Sequence, residues 1–202
     1  MKRIKLIFRF LSIVLIVFMV ANGCKDKYQY IDYDKLEADE LKLLERFYES
    51  DLFKDSLLNI KKFNVKEDSI FDLRESDKLF MVKTYTFPIT DPDTIKIGQT
   101  VGFRYTFMAL TKDENDSLII YDWFNNKNFF EPEIYSVGNF STTNATVCYG
   151  IDLAIRKMFL YDKCRLVIPS SIGAQTMLRN FSVYDQFTTI IADIEVTYVS
   201  RY

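Results

Sequence analysis

Ile151-Asp152-Leu153-Ala154-Ile155-Arg156-Lys157-Met158-Phe159 decides the fold of this 202-residue chain. It is the one helical pattern in the C-terminal half, with Ile151, Ile155, Met158 and Phe159 on one face and Asp152, Arg156 and Lys157 on the other. The segments around it read as strands. Leu79–Tyr85 is rich in strand formers and ends at Pro88 and the turn Asp91-Pro92-Asp93. Thr100–Leu110 and Ser117–Phe124 flank the wholly polar Lys112–Asp116, which predicts an antiparallel hairpin, and Asn125-Asn126 then turns the chain. Arg165–Ile168 and Thr188–Tyr198 close the set. In the last of these Ile190, Ala192, Ile194, Val196 and Tyr198 alternate with Ile191, Asp193, Glu195 and Thr197. Many antiparallel strands with one short amphipathic helix predict an α+β fold, an antiparallel sheet wrapped around that helix.

Upstream, Leu36, Leu43, Leu44, Phe47 and Tyr48 form one apolar stripe, with Glu37, Asp39, Glu40, Lys42 and Glu45 elsewhere on the wheel and Asp32 or Asp34 as N-cap. Sixteen residues supply barely two heptads, so the stripe is expected to dock on the C-terminal domain rather than on a partner coil. Asp51 to Asp77 is charged and weakly periodic and reads as a connection with a short strand or turn. The expected divisions are a leader over 1–23, a tether over 24–33, the N-terminal helix and connection over 34–77, and the sheet domain over 78–202.

The leader rests on Lys2, Arg3, Lys5 and Arg9, followed by the uncharged run Phe10–Ala21. That run is shorter than the ~20 residues that cross a bilayer as a helix, and it has the order of a secretory signal peptide. Val20-Ala21-Asn22-Gly23-Cys24 resembles a bacterial lipobox, which implies lipidation of Cys24, a membrane association through that lipid, and a place in the bacterial cell envelope at the outer membrane. In an oxidising envelope Cys148 and Cys164 either form a disulfide or remain buried core thiols.

The chain contains no histidine, which excludes Ser-His-Asp and Cys-His arrangements, imidazole proton shuttles and the usual zinc ligands. With the four basic leader residues set aside, 22 basic side chains face 28 acidic ones, a net of −6. A nucleic-acid partner is not expected.

Further segments follow one another in a recognisable order. Asp93-Thr94-Ile95-Lys96-Ile97-Gly98-Gln99-Thr100-Val101 leads to Arg104-Tyr105-Thr106. Next come Tyr135-Ser136-Val137-Gly138, Val147-Cys148-Tyr149-Gly150-Ile151 entering the helix, Arg165-Leu166-Val167-Ile168-Pro169-Ser170-Ser171-Ile172-Gly173, and Ile190-Ile191-Ala192-Asp193-Ile194-Glu195. Over about Leu79 to Val199 this resembles an FKBP-type peptidyl-prolyl isomerase domain, and with the leader it is similar to Bacteroidetes-type envelope lipoproteins. The resemblance implies a shallow aromatic bowl that accepts proline-containing segments. An X-Pro bond rotates over a barrier of ~20 kcal/mol with no bond made or broken, so such a cradle needs no acid, base, metal or cofactor.

Carried over residue by residue, the pocket candidates are Tyr105, the Tyr121-Asp122 pair, Tyr135, Val147 and Cys148. The family's floor tryptophan falls at Ile151, a pocket tyrosine at Ala174 with Gln175 behind it, and the closing-strand phenylalanine at Ala192. Losing three rings removes several hundred Å² of wall, at ~150 to 250 Å² each, unless Trp123, Phe124 or Phe129 refills it. The stretch Asn139 to Thr146, longer than the family's usual loop, alters the rim. The same residues have structural readings as well, Tyr105, Tyr135 and Ile151 as core and Asp122 as a surface carboxylate beside a cation. No catalytic residue is assigned. The expected function is a lipid-anchored protein-binding or chaperone-like module, a binder of protein or peptide partners with little or no isomerase activity. The alternative is an active FKBP-type isomerase assisting exported proteins to fold.

Overall fold

A computed structural model of the chain describes residues 31–58, 69–86, 88, 94–128, 131–140, 146–173 and 183–200. The leader, Cys24, most of the tether, the Asp91-Pro92-Asp93 turn, Phe129, Ala174 and Gln175 lie outside the described residues, as do positions 141–145 of the rim.

Helix α1 spans Tyr33–Glu49 and buries Leu44 and Phe47 from the expected stripe. A second helix, α2 (Asp51–Leu57), stands where the sequence predicts a connection. Its cause is local. The Ser50 hydroxyl caps it by accepting from the Phe53 amide at 3.1 Å, and Phe53 and Leu57, four residues apart, share its buried face. After β1 (Ile70–Leu73) and the single turn α3 (Arg74–Asp77) comes β2 (Leu79–Tyr85).

The expected hairpin forms from β3 (Thr100–Lys112) and β4 (Leu118–Asn125), with Lys112 opposite Leu118. Asp113 builds the turn, its carboxylate accepting from the Asn115 and Ser117 amides at 2.9 and 2.8 Å. Then follow β5 (Glu133–Ser136), α4 (Tyr149–Ile155), β6 (Lys163–Ile168), a 3-10 turn over Ser170–Ile172, α5 (Val183–Gln186) and β7 (Ile190–Val199). Every pairing is antiparallel, in the order β1-β2-β6-β7-β3-β4, with β5 also on β3.

Helix α4 begins two residues before the expected Ile151 and ends four before Phe159. The Lys157 and Met158 amides donate to Ala154 and Ile155 carbonyls at 2.9 and 3.0 Å, a tighter closing turn that leaves Met158 fully buried outside the helix. Asp152, expected on the wet face, is also fully buried.

The sheet carries a core on each face. Inward-pointing Phe103, Tyr105 and Phe107 of β3, Leu166 and Ile168 of β6, and Ile190, Ala192, Ile194 and Val196 of β7 pack with Ile151, Ala154 and Ile155 of α4. On the outer face Phe80, Val82, Met108, Leu110, Val167 and Ile191 meet Leu44, Phe47, Phe53 and Leu57 of α1 and α2. The alternation of β7 thus serves two cores, with Ile190 and Ile191 in different ones. Cys148 and Cys164 are buried free thiols, the Cys164 sulfur 3.4 Å from that of Met158. No described helix is long and apolar enough to cross a membrane.

Candidate functional site

One edge of β3 pairs with β7 along its length, while the other is shared: Thr100–Phe103 pairs with β5 and Thr106–Lys112 with β4. Asn126 fills the gap. Its side chain accepts from the Tyr105 amide at 2.7 Å and donates to the Phe103 carbonyl at 3.3 Å, and its own amide donates to the Tyr105 carbonyl at 3.2 Å. A buried side-chain amide thereby replaces a missing strand residue and satisfies backbone that would otherwise be orphaned.

Tyr105, held there, stacks on Phe107 with centroids 4.3 Å apart and planes 15° from parallel. Phe107 meets Phe124 edge-on at 5.0 Å, and Phe124 meets Trp123 at 6.0 Å. The last two reach the inner core through a bulge in β4. Phe107 pairs with Phe124 and Met108 with Asp122, so Trp123 is the extra residue. Phe107 also lies directly across from Ala192, and both side chains belong to the inner core.

The rest of the inner site is organised by Asp152. Its Oδ1 accepts from the Tyr135 hydroxyl and the Gly138 amide, both at 2.7 Å, and the Arg156 guanidinium lies 2.7 Å from Oδ2. A buried carboxylate held by a cation, a phenol and an amide fixes the β5 turn onto α4. Burial, and donation to Asp152, raise the Tyr135 hydroxyl pKa well above its usual value. Burial, with Glu133 nearby, raises that of Tyr105. The Cys148 thiol is pushed up to about 11 by burial, which keeps it protonated and unreactive near neutral pH.

Of the sequence-derived pocket candidates, Tyr105, Tyr135, Val147, Cys148, Ile151 and Ala192 come together in the inner core. Tyr121 and Asp122 do not enter it and stay exposed on β4, the edge strand, while Ala174 is outside the described residues. The displacement follows from the bulge, which delivers Trp123 and Phe124 inward where unbroken alternation would not. Phe107, Asn126 and Asp152 are the residues that sequence reasoning passed over. Asn126 was visible only as a turn residue, and Asp152 as one member of a polar helix face.

Among the described residues no group of three or more Cys, Asp or Glu side chains is placed to hold a metal ion. The inner site offers an apolar, aromatic-walled environment with one buried carboxylate, hydrogen-bonded through Oδ1 and ion-paired with Arg156 through Oδ2.

No protein-family model matches the chain, and no curated protein matches it. Among solved structures the chain is similar to the crystal structure of a peptidyl-prolyl cis-trans isomerase from Pseudomonas syringae pv. tomato. The identity is 15% and the TM-score 0.46, over 86% of this chain and 99% of that one.

Proposed function

We propose that the chain is a lipid-anchored envelope protein whose FKBP-like sheet domain binds protein or peptide segments, proline-containing ones among them, with little or no isomerase activity. The observation that supports this reading is the packing of the inner face. Tyr105, Tyr135 and Ile151 are 7%, 3% and 0% exposed, so the walls of the implied bowl are engaged with their own neighbours. A tenfold rate gain requires the site to prefer the twisted amide by about 1.4 kcal/mol, and that preference needs apolar wall free to touch the substrate.

The aromatic group of Tyr105, Phe107, Phe124 and Trp123 favours one second reading, an isomerase with a rebuilt wall in which half-buried Trp123 is the ring offered to substrate.

The test is the cis-trans exchange rate of a short Xaa-Pro peptide, measured by NMR with the full chain in detergent. Exchange within about threefold of the uncatalysed rate is expected, since anything less than tenfold needs under 1.4 kcal/mol. Robust turnover, lost in Tyr105→Ala or Trp123→Ala, replaces the binding module with the enzyme.

A further inference from the structure

We propose that Glu40 makes helix α1 a strap on the sheet's outer face whose docking holds the first turn of α4 in place on the inner face, so that the candidate site is controlled from the N-terminal helix.

The two helices pack on opposite faces of a hydrogen-bonded sheet, and their apolar side chains belong to separate cores. The link between them runs round the end of β6. Glu40 is 6% exposed on α1, and its carboxylate meets two other segments of the chain. Oε1 accepts from the Ser170 amide and the Thr189 hydroxyl, each at 2.8 Å, and Oε2 accepts from the Ser170 hydroxyl. Ser170 opens the 3-10 turn that follows β6, and the internal bonds of that turn begin with the Ile172 and Gly173 amides, which donate to the Pro169 and Ser170 carbonyls at 3.1 and 3.2 Å. The amide of the first residue in such a turn has no acceptor within it, and α1 supplies one. Thr189 stands at the entry to β7. Glu40 therefore holds the residues on either side of the stretch 171–188, and Tyr33 at the start of α1 meets Phe187 with ring centroids 6.1 Å apart.

The same turn seats on α4. A Cβ at Gly150 would lie 2.9 Å from Ile168 Cγ2 and 3.4 Å from Ile172 Cδ1, and one at Gly173 would lie 3.1 Å from Cys148 Sγ. Glycine at both places lets the backbones of turn and helix close on Ile168. Cys148 is the N-cap residue of α4 and Ile151 lies in its first turn, and both are buried members of the inner core and of the candidate site. Displacing Ser170–Gly173 removes the support of that first turn.

An apolar stripe alone tolerates sliding, but a buried carboxylate does not. A shift of α1 by one turn, about 5.4 Å, would leave a charge buried away from its donors and three donors without their acceptor, so the helix is either docked in register or released. Two discrete arrangements of one element are what a switch requires. Its use in regulating peptide binding rests on the binding reading above, whereas the coupling is a property of the chain without ligand.

The test is amide hydrogen exchange of the full chain in uncharged detergent near neutral pH, each value taken relative to the Phe107 and Ala192 amides of the central strands, which report global opening. Glu40→Ala should lower protection at least about tenfold in Ser170–Gly173 and at Asp152 and Leu153 of α4, while Glu40→Gln, which keeps an acceptor for the Ser170 amide and Thr189, should stay within about threefold of the wild type. Glu37→Ala, an exposed change on the same helix, should alter neither segment. Leu44→Ala loosens α1 from the outer core without touching the carboxylate and should also lower protection at the start of α4. Leu57→Ala makes the same truncation in the same core from α2 and should leave the start of α4 within about threefold of the wild type. If Glu40→Ala does not fold, the Leu44→Ala and Leu57→Ala pair decides. Unchanged protection at Asp152 and Leu153 in Glu40→Ala or Leu44→Ala, or an equal loss there in Leu57→Ala, overturns the proposal. All of this is read without peptide, so an inner face that binds none removes the regulatory use and leaves the coupling standing.

Discussion

Glu40 occupies the polar place in the buried stripe of α1. Leu36, Leu43, Leu44, Phe47 and Tyr48 leave a gap at the i+4 position from Leu36, and Glu40 fills it. The gap was legible, although the sequence reading set Glu40 on the wet side of the wheel. Its carboxylate is buried and accepts from the Ser170 amide and the Thr189 hydroxyl, each at 2.8 Å, and from the Ser170 hydroxyl. It therefore ties α1 to the end of β6 and the entry to β7. Desolvation is the largest influence on it and raises its pKa, against the lowering effect of those donors. A carboxyl whose folded pKa lies above its unfolded value contributes stability below the unfolded value and loses it as pH rises through the folded one. Glu40→Gln keeps an acceptor for Ser170 and Thr189 and mimics the neutral acid, so it should match or exceed the wild type at pH 8 and flatten the weakly acidic part of the stability profile. Glu40→Ala removes the acceptor of three buried donors, the Ser170 amide and the Ser170 and Thr189 hydroxyls, and should cost about 1 to 3 kcal/mol. Denaturant unfolding across pH 4 to 8 checks both, and a Gln variant less stable than the wild type at pH 8 contradicts the assignment.

At the scale of elements, the strands were legible because they alternate, and their irregularities were not, because a bulge or a shared edge leaves no period. The strands over Leu79–Tyr85 and Thr188–Tyr198 stand within two residues of their expected ends. The bulge at Trp123 redirected the aromatic residues of β4, and the division of the β3 edge between β4 and β5 made Asn126 a buried clamp. Asn126→Ala removes the partners of the Tyr105 amide and the Phe103 carbonyl and should cost about 2 to 4 kcal/mol in denaturant unfolding. Asn125→Ala gives up one exposed 3.2 Å bond to the Lys127 amide and should cost under about 1 kcal/mol. Equal effects would mean that the clamp contributes nothing special. Helix α4 invites a harsher test. Ile155 is fully buried between the helix and the inner face, so Ile155→Asp places an unpaired charge among apolar side chains and should unfold the domain. An unchanged unfolding temperature would mean that the helix does not pack there.

For the whole molecule, the sheet is filled on both sides, by α4 within and by α1 and α2 without, and α1 is the first described helix after Cys24. The docking of the N-terminal stripe could be read from its short length. The second helix could not, because the Ser50 cap and the Phe53 and Leu57 pair are too brief a pattern to stand out from a charged segment. Six of the pocket candidates share the inner core, but their burial could not be read from the sequence, since it depends on side chains from neighbouring strands. Attachment belongs to this scale too. Two acyl chains on Cys24 would supply membrane affinity, where no described helix is long and apolar enough to cross a membrane, and the nine residues from Cys24 to Tyr33 reach at most about 30 Å when fully extended. Radiolabelled palmitate should enter the wild-type protein and not Cys24→Ser, and the variant should shift from the membrane to the soluble fraction or accumulate unprocessed. Because the sheet domain carries its own cores, both proteins should unfold at the same temperature once extracted. A wild-type protein that takes up no label refutes lipidation, while a variant that loses stability would make the anchor part of the fold.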